Sequence, residues 1–205
     1  MRVHVTDLDQ LIWFRRIEAM ETDELISRLR REAPPNRAMA MGTAWHSVLE
    51  QPPEDELAAV ERDGFTFLIE CDAEITLPQI REIRAEKTYL IDGIEVTLTG
   101  GCDGITGNVV TDHKLTARPD PEKYLDSYQW RAYLDIYGAD VFEYILYHAL
   151  DRGEDKGNQV IIKDVAPFRF YRYPNMRDDL IVGIREFVEF AREHLPERFE
   201  KEKAA

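Results

Sequence analysis

A glycine-rich stretch from Gly100 to Thr116 constrains the fold more than any other part of this sequence. It contains two extended segments joined at Gly107-Asn108, a dipeptide typical of turns because both residues accept backbone conformations that most others avoid. Strands joined by so short a turn pair antiparallel. The stretch therefore predicts two neighbouring strands whose side chains hold defined positions relative to one another.

Three charged side chains of these strands are predicted to converge. Side chains alternate between the two faces of a strand, so Asp112 and Lys114 project to the same side. Asp103 lies nine residues before Asp112, and antiparallel pairing can bring the two carboxylates together. Neighbouring carboxylates resist joint ionisation unless a cation lies between them, and oxygen ligands favour hard ions such as Mg²⁺. The pattern suits metal-assisted phosphodiester hydrolysis, although an isolated Asp-x-Lys is more often a solvated ion pair.

Two predicted helices contribute further candidates. The first ends at Glu50 and carries His46, whose neutral imidazole could complete a metal site and extend its preference to Mn²⁺, or could be structural. In the second, over residues 121–137, Gln129 and Tyr133 share a face at i and i+4. These two side chains could orient a phosphate or a water molecule, or could be buried and merely hydrogen-bonded.

The remaining patterns predict an α+β domain with a central mixed sheet. We expect one domain over residues 1–205, with a frayed tail over 196–205. Helices are expected over residues 7–18, from Thr22, from Asn36 to Glu50, over 121–137 and from Asn175; strands are expected over 65–71, 88–91, 94–99, 141–149 and 159–173.

Composition bounds the class of protein. The chain has 205 residues, of which 44% are hydrophobic, which suits one soluble globular domain. The sequence shows neither a membrane-spanning stretch nor a signal peptide, so a cytoplasmic location is expected, in a bacterial or phage-infected cell. Its two cysteines, Cys71 and Cys102, are too few for a disulfide framework, a four-thiolate zinc site or an iron–sulfur cluster, and are expected to be small core residues.

The formal net charge of −14 is unusual for a protein that handles a polyanion. The acidic excess is uneven: residues 51–100 carry four basic and twelve acidic side chains, whereas residues 1–50 carry seven and eight. A DNA-facing surface could draw on the N-terminal arginines, unless these only decorate helix surfaces. The arginines concerned are Arg15, Arg16, Arg28, Arg30, Arg31 and Arg37.

Taken in order, the candidate residues resemble the RecB-type branch of the PD-(D/E)XK nuclease superfamily. The matching pattern spans about residues 7–137 and reads Gly42…His46…Glu50, Gly100-Gly-Cys-Asp103, Asp112-His-Lys114 and Gln129-Trp-Arg-Ala-Tyr133. The resemblance implies a restriction-endonuclease-like core, with a central mixed β-sheet flanked by helices. It also implies a Mg²⁺- or Mn²⁺-dependent deoxyribonuclease.

The resemblance further implies a role for each matched residue. The metal ligands would be His46, Asp103, Asp112 and the backbone carbonyl of His113, whose side chain points to the opposite face. Lys114 would activate or position water, and Glu50 would be a partner of His46. Gln129 and Tyr133 would support the site or contact DNA. The chain lacks a phosphate loop and an iron–sulfur cluster, and so is similar to freestanding phage exonucleases of recombination, repair or DNA processing. Its partners would be DNA and either further copies of the chain or a recombination or single-strand-binding protein.

Two other functions remain open. One is a catalytically silent DNA-binding or assembly protein of the same fold, and the other is a metal-dependent hydrolase of a different phosphate ester, which the acidic charge would suit better. The segment Phe168–Tyr173 interleaves aromatic residues with arginines, as a platform that stacks single-stranded DNA would. A strand with one buried face is the favoured interpretation of that segment.

Overall fold

A mixed sheet of eight strands forms the centre of the computed structural model, which describes residues 1–16, 20–52, 59–71 and 78–199. The strands are β1 (Arg2–His4), β2 (Ala59–Arg62), β3 (Phe65–Ile69), β4 (Ile80–Ile91), β5 (Ile94–Thr106), β6 (Val109–Thr116), β7 (Val141–Asp151) and β8 (Gln159–Tyr171). The helices are α1 (Val5–Arg16), α2 (Thr22–Leu29), α3 (Arg37–Glu50), α4 (Glu122–Leu125), α5 (Tyr128–Tyr137) and α6 (Met176–His194). The predicted α+β fold, a central mixed sheet flanked by helices, is confirmed.

The strand β5 has three neighbours in the sheet. The strand order is β1-β5-β6-β7-β8-β3-β2, and β4 pairs antiparallel with β5 along nearly its whole length. The other edge of β5 is therefore shared, because Thr97–Thr99 pair with β1 and Gly104–Thr106 pair with β6. Between these two stretches β5 has no ladder partner on that edge, which leaves a gap in the sheet.

Helices cover the two faces of the sheet with two separate hydrophobic clusters. Residues of α1, α5 and α6 form the larger cluster with one face of the strands. On the other face, α3 packs its apolar side on strands β2, β3, β7 and β8. The fully buried Trp45 of α3 packs on Phe67 and Tyr147 with ring centroids 5.1 and 5.0 Å away. Strand β7 contributes alternate residues to the two clusters, as the period of a strand requires.

Local signals account for most of the element boundaries. The Asn36 side chain accepts the Met39 amide at 2.9 Å and so caps α3. The turns at Asp92-Gly93 and Gly107-Asn108 join the predicted strands, and the strands at the first turn are longer than predicted because β4 begins at Ile80. The predicted strand within Phe168–Tyr173 belongs to β8, with Phe170 buried and Tyr171 exposed.

The predicted single helix over residues 121–137 is wrong, because the structure divides it into α4 and α5. The break lies at Asp126-Ser127, where the Ser127 hydroxyl accepts the Gln129 amide at 3.1 Å and caps α5. A serine hydroxyl satisfies an otherwise unpartnered amide at a helix start, and this favours a new helix over a continued one. The break sets the direction in which Gln129 points.

Other differences concern short elements and the C-terminus. The short strands β1 and β2 were not predicted, and α1 begins at Val5. Part of the predicted tail is folded: Pro196–Phe199 form a 3-10 turn, and Arg198 contacts the buried Asp7 at 2.7 Å. Residues 200–205 lie outside the described residues. Among the helices described, none is long and apolar enough to cross a membrane.

Candidate active site

The strands β5 and β6 separate beside the two predicted site aspartates. Their pairing ends at Gly104 and Thr111, and one more step in the same register would place Asp103 opposite Asp112. At this position Asp103 Oδ2 accepts the backbone amide of His113 at 2.6 Å. The Asp103 carboxylate thus lies between the two strands, in the gap on the edge of β5.

On one side of the gap, α3 brings His46 to Asp103. The Nδ1 atom of His46 lies 3.4 Å from Asp103 Oδ1. His46 lines a small cavity together with Asp103 and His113, and Glu50, one helical turn later on α3, lines it too. Among the described residues no hydrogen bond joins Glu50 to His46, so the structure gives His46 a carboxylate partner in Asp103 instead.

On the other side of the gap, Asp112 meets Lys114 and α5. Asp112 is only 3% exposed, and Gln129 Nε2 donates to its Oδ1 at 3.1 Å. The ammonium of Lys114 lies 2.6 Å from Asp112 Oδ2. This contact is an ion pair, and no further donor among the described residues hydrogen-bonds the buried Oδ2.

Tyr133 supports the site from behind. Its hydroxyl donates to the Gly101 carbonyl at 2.6 Å, and its side chain is 2% exposed. Gly100 makes this approach possible, because a Cβ there would lie 2.5 Å from Tyr133 Cε1. Of the two roles predicted for Tyr133, this burial favours support of the site.

The His113 side chain lies on the face of β6 opposite to Asp112. Its Nδ1 is 3.0 Å from the Tyr147 hydroxyl, and burial lowers its pKa to about 4. The N–H and C=O groups of a strand residue point to the same edge. Since the His113 amide faces Asp103, its carbonyl also faces the gap.

A hydrogen-bonded chain that the sequence analysis missed connects α1 to Asp112. Asp9 Oδ1 accepts the Tyr128 amide and Asp9 Oδ2 accepts the Ser127 hydroxyl, both at 2.6 Å. The Ser127 hydroxyl is 3.4 Å from the Tyr144 hydroxyl, which donates to Gln129 Oε1 at 3.1 Å. Gln129 is therefore held at both ends of its amide. No local pattern marks Asp9, because its partners lie more than 100 residues away in the chain.

The charges of the site are set by burial and by one another. Burial, reinforced by Asp103 and opposed by Lys114, raises the pKa of Asp112 to about 6. Burial would also raise the pKa of Asp103, but the hydrogen bonds from His46 and the His113 amide hold that pKa below its ordinary value. Burial would lower the pKa of Lys114, and the two aspartates outweigh it and raise that pKa. At neutral pH the site thus combines a firmly ionised Asp103 with a charged Lys114.

The donors around the gap suit a hard divalent cation. In the present arrangement of the described residues, no group of three or more His, Cys, Asp and Glu side chains is placed to hold a metal ion. His46 Nδ1 and Asp103 Oδ1 nevertheless already face each other, and the buried Asp112 Oδ2 has no donor among the described residues besides Lys114. Imidazole nitrogen with carboxylate and carbonyl oxygens is a donor set that Mn²⁺ accepts, and Mg²⁺ prefers its oxygens. By their chemistry these donors suit such an ion, although the described side chains are not gathered around one point.

The N-terminal arginines are largely neutralised within the fold. Each of the six predicted for a DNA-facing surface contacts a carboxylate at 2.5 to 2.8 Å. The pairs are Arg15–Glu186, Arg16–Asp126, Arg28–Glu24, Arg30–Glu197, Arg31–Asp7 and Arg37–Asp151. The described structure therefore favours the interpretation that these arginines stabilise surface contacts, and it leaves open which surface would hold DNA.

Fold and gap together define an α+β domain whose sheet opens at one point, where two carboxylates, a lysine and a histidine meet. No family model matches the sequence, and no curated protein matches it. Solved structures do match. A phage-related exonuclease from Haemophilus somnus 129PT has a TM-score of 0.50 and 13% identity, and the match covers 95% of this chain and 96% of that chain. The protein SSO0001 has a TM-score of 0.51 and 14% identity, and the match covers 92% of this chain and 76% of that chain. An alkaline exonuclease from Laribacter hongkongensis has a TM-score of 0.44 and 15% identity, with 96% of this chain and 92% of that chain covered. At these identities, the first two likenesses establish a shared fold.

Proposed function

We propose that this chain is a metal-dependent deoxyribonuclease that hydrolyses phosphodiester bonds of DNA from strand ends. One observation carries the proposal: the buried Asp112, with Lys114 2.6 Å away, borders a gap that also holds Asp103 and His46. An exonuclease fits because a phage-related exonuclease has the same fold. A role in recombination, repair or phage DNA processing goes with it.

The proposed metal ligands are His46, Asp103, Asp112 and the carbonyl of His113. A bound Mg²⁺ or Mn²⁺ would polarise a phosphate oxygen and lower the pKa of water. Asp112 and Asp103 raise the pKa of Lys114, and this favours the ammonium form, which donates hydrogen bonds. Its ammonium therefore orients the attacking water or neutralises the charge that grows on the phosphate oxygens. Gln129 holds the Asp112 carboxylate in place for this task.

Assays on labelled linear, covalently closed circular and single-stranded DNA, with Mg²⁺, Mn²⁺ or EDTA, test the proposal. We expect linear DNA to be degraded with either metal, circular DNA to persist and EDTA to stop the reaction. Lys114→Met should abolish cleavage, and the matched substitution of an exposed lysine, Lys156→Met, should leave it unchanged.

The same assays separate the other candidate functions. Purified protein that binds DNA without cleaving it under any of these conditions would be a silent DNA-binding protein. Cleavage of the circle would contradict the exonuclease while retaining the nuclease. Metal-dependent hydrolysis of a small phosphate ester, with DNA left intact, would indicate the other hydrolase.

A further inference from the structure

We propose that Lys123, positioned by the Thr116 hydroxyl, forms a second phosphate-binding position about one nucleotide away along the DNA strand from the phosphate that is cut. This inference rests on the proposed nuclease function. It names the group that holds the substrate beside the site, which the net charge of −14 leaves unexplained.

The first support is the row of side chains on β6. Asp112, Lys114 and Thr116 alternate with residues of the other face, so they lie on one face at steps of roughly 7 Å. At the end of this row, Lys123 Nζ lies 3.5 Å from the Thr116 hydroxyl. A DNA strand along the row would meet Lys114 at the cut phosphate and Lys123 near the next one.

The second support is that no carboxylate neutralises Lys123. Among the described residues none lies within 4 Å of its ammonium, unlike the six N-terminal arginines. The charge of Asp120 acts on Lys123 without direct contact, and one oxygen of the Asp120 carboxylate accepts the Glu122 amide at 3.1 Å. Lys123 therefore has a free charge to offer to an anion.

The third support is the setting of this ammonium. It lies 4.7 Å from the centre of the Tyr124 ring, which packs on Tyr144 at 4.6 Å. Lys123 is half-buried, and burial together with the charge of Lys114 lowers its pKa against the opposing charge of Asp120. Two ammonium groups held near one another are stabilised by an anion between them, and a phosphodiester strand supplies such anions at regular steps.

Arg118 adds charge to the same place. It lies in the loop between Thr116 and Lys123, its backbone is held by the Thr116 hydroxyl, and its exposed side chain contacts no carboxylate among the described residues. The segment that follows β6 thus presents two cations, Arg118 and Lys123, that contact no carboxylate among the described residues, beside the acids Asp120 and Glu122. It extends outward from Lys114, the residue closest to the proposed chemistry.

The test compares Lys123→Gln with the wild type in binding and in turnover. Binding of a fluorescent single-stranded oligonucleotide is followed by anisotropy in EDTA over a salt series, so that cleavage plays no part. We expect affinity at low salt to fall about five- to tenfold, and the slope of log K against log salt to become shallower by about 0.7 to 0.9. With Mg²⁺, kcat at saturating DNA should stay within about twofold.

Two further variants sharpen the result. Arg192→Gln removes an exposed charge near the end of α6. This variant should change neither the affinity nor the slope. Thr116→Val keeps every charge, so it should weaken binding without changing the slope. If Lys123→Gln leaves both affinity and slope unchanged, or lowers kcat at saturation with affinity intact, the phosphate position is wrong.

Failure of this inference is distinguishable from failure of the proposed function. A wild type that cleaves DNA beside an unaffected Lys123→Gln variant would overturn the phosphate position alone. A wild type that binds the oligonucleotide through Lys123 but never cleaves DNA would support the phosphate position and overturn the nuclease.

Discussion

Asp112 is almost fully buried, and its Oδ2 atom has no donor among the described residues besides its ion-pair partner Lys114. A buried carboxylate in this state destabilises a fold, because the group loses its hydration without full compensation. Its pKa of about 6 expresses the same cost. Proteins keep such groups mainly where function needs them, and strongly shifted carboxyls are concentrated at active sites. The state of this one residue is the main structural reason to place the chemistry here.

Single substitutions should separate metal binding from turnover. Asp103→Asn and Asp112→Asn each remove an anionic ligand, so we expect Mn²⁺ affinity in calorimetric titration to fall by at least about tenfold. Lys114→Ala should retain most of the affinity and lose turnover, because it removes a donor to the reacting groups and no ligand. Aspartate variants that bind Mn²⁺ like the wild type would refute the ligand assignment.

Gly100 and Gly101 form a matched pair for testing the contact behind the site. In Gly100→Ala the new methyl would lie 2.5 Å from Tyr133 and 2.9 Å from Val5, both buried, so we expect a loss of about 1–3 kcal/mol in the free energy of unfolding. In Gly101→Ala the nearest atom is Arg84 Cγ at 3.3 Å on a flexible, exposed side chain, and the cost should stay below about 1 kcal/mol. Urea unfolding measures both, and equal losses would contradict the close contact.

At the scale of elements, the site depends on how α1 and α5 meet. Asp9 on α1 accepts hydrogen bonds from the hydroxyl of Ser127 and the amide of Tyr128, which begin α5. A carboxylate at a helix start is favourable because the first amides there have no partner within the helix. Through this contact α1 fixes the helix that carries Gln129, and so acts on Asp112 from a distance.

Asp9→Asn should therefore impair turnover more than binding. An asparagine has one acceptor oxygen in place of two, so either Ser127 or Tyr128 loses its partner and the position of Gln129 relaxes. We expect kcat to fall about tenfold with KM for DNA nearly unchanged, as expected for a positioning residue.

Asp7 provides the matched control for Asp9. It lies on the same helix, is fully buried and contacts Arg31 and Arg198 at 2.6 and 2.7 Å, away from the site chain. Asp7→Asn should lower stability by about 3 kcal/mol or more and leave kcat per folded molecule unchanged. Equal losses of kcat in the two variants would show that Asp9 acts only through stability.

At the scale of the whole molecule, the sheet and the charge distribution fit together. Most cations of the N-terminal region are paired within the fold, whereas Arg118 and Lys123, which follow β6, contact no carboxylate among the described residues. An acidic protein with a small basic patch would hold DNA locally and repel it elsewhere. Further copies of the chain or a partner protein could extend that patch, which would suit the proposed role in DNA processing.

The salt dependence of DNA binding measures the size of this surface. With Lys114, Lys123 and Arg118 as the main contacts, we expect log K to fall with log salt at a slope between about −2 and −3. Affinity at several salt concentrations, measured in EDTA, gives the slope. A value steeper than about −5 would mean that the six paired arginines also reach the DNA, and would contradict a small patch.

The sequence alone determined the features that follow from local geometry. The shared face of Asp112 and Lys114 comes from the period of a strand, that of Gln129 and Tyr133 from the period of a helix, and the start of α3 from Asn36. Only the tertiary structure decided which long-range contacts these side chains make. It separated β5 from β6 beside Asp103, placed Asp9 behind Gln129 and neutralised the N-terminal arginines, because each of these depends on segments that are distant in sequence and meet only when the helices pack on the sheet.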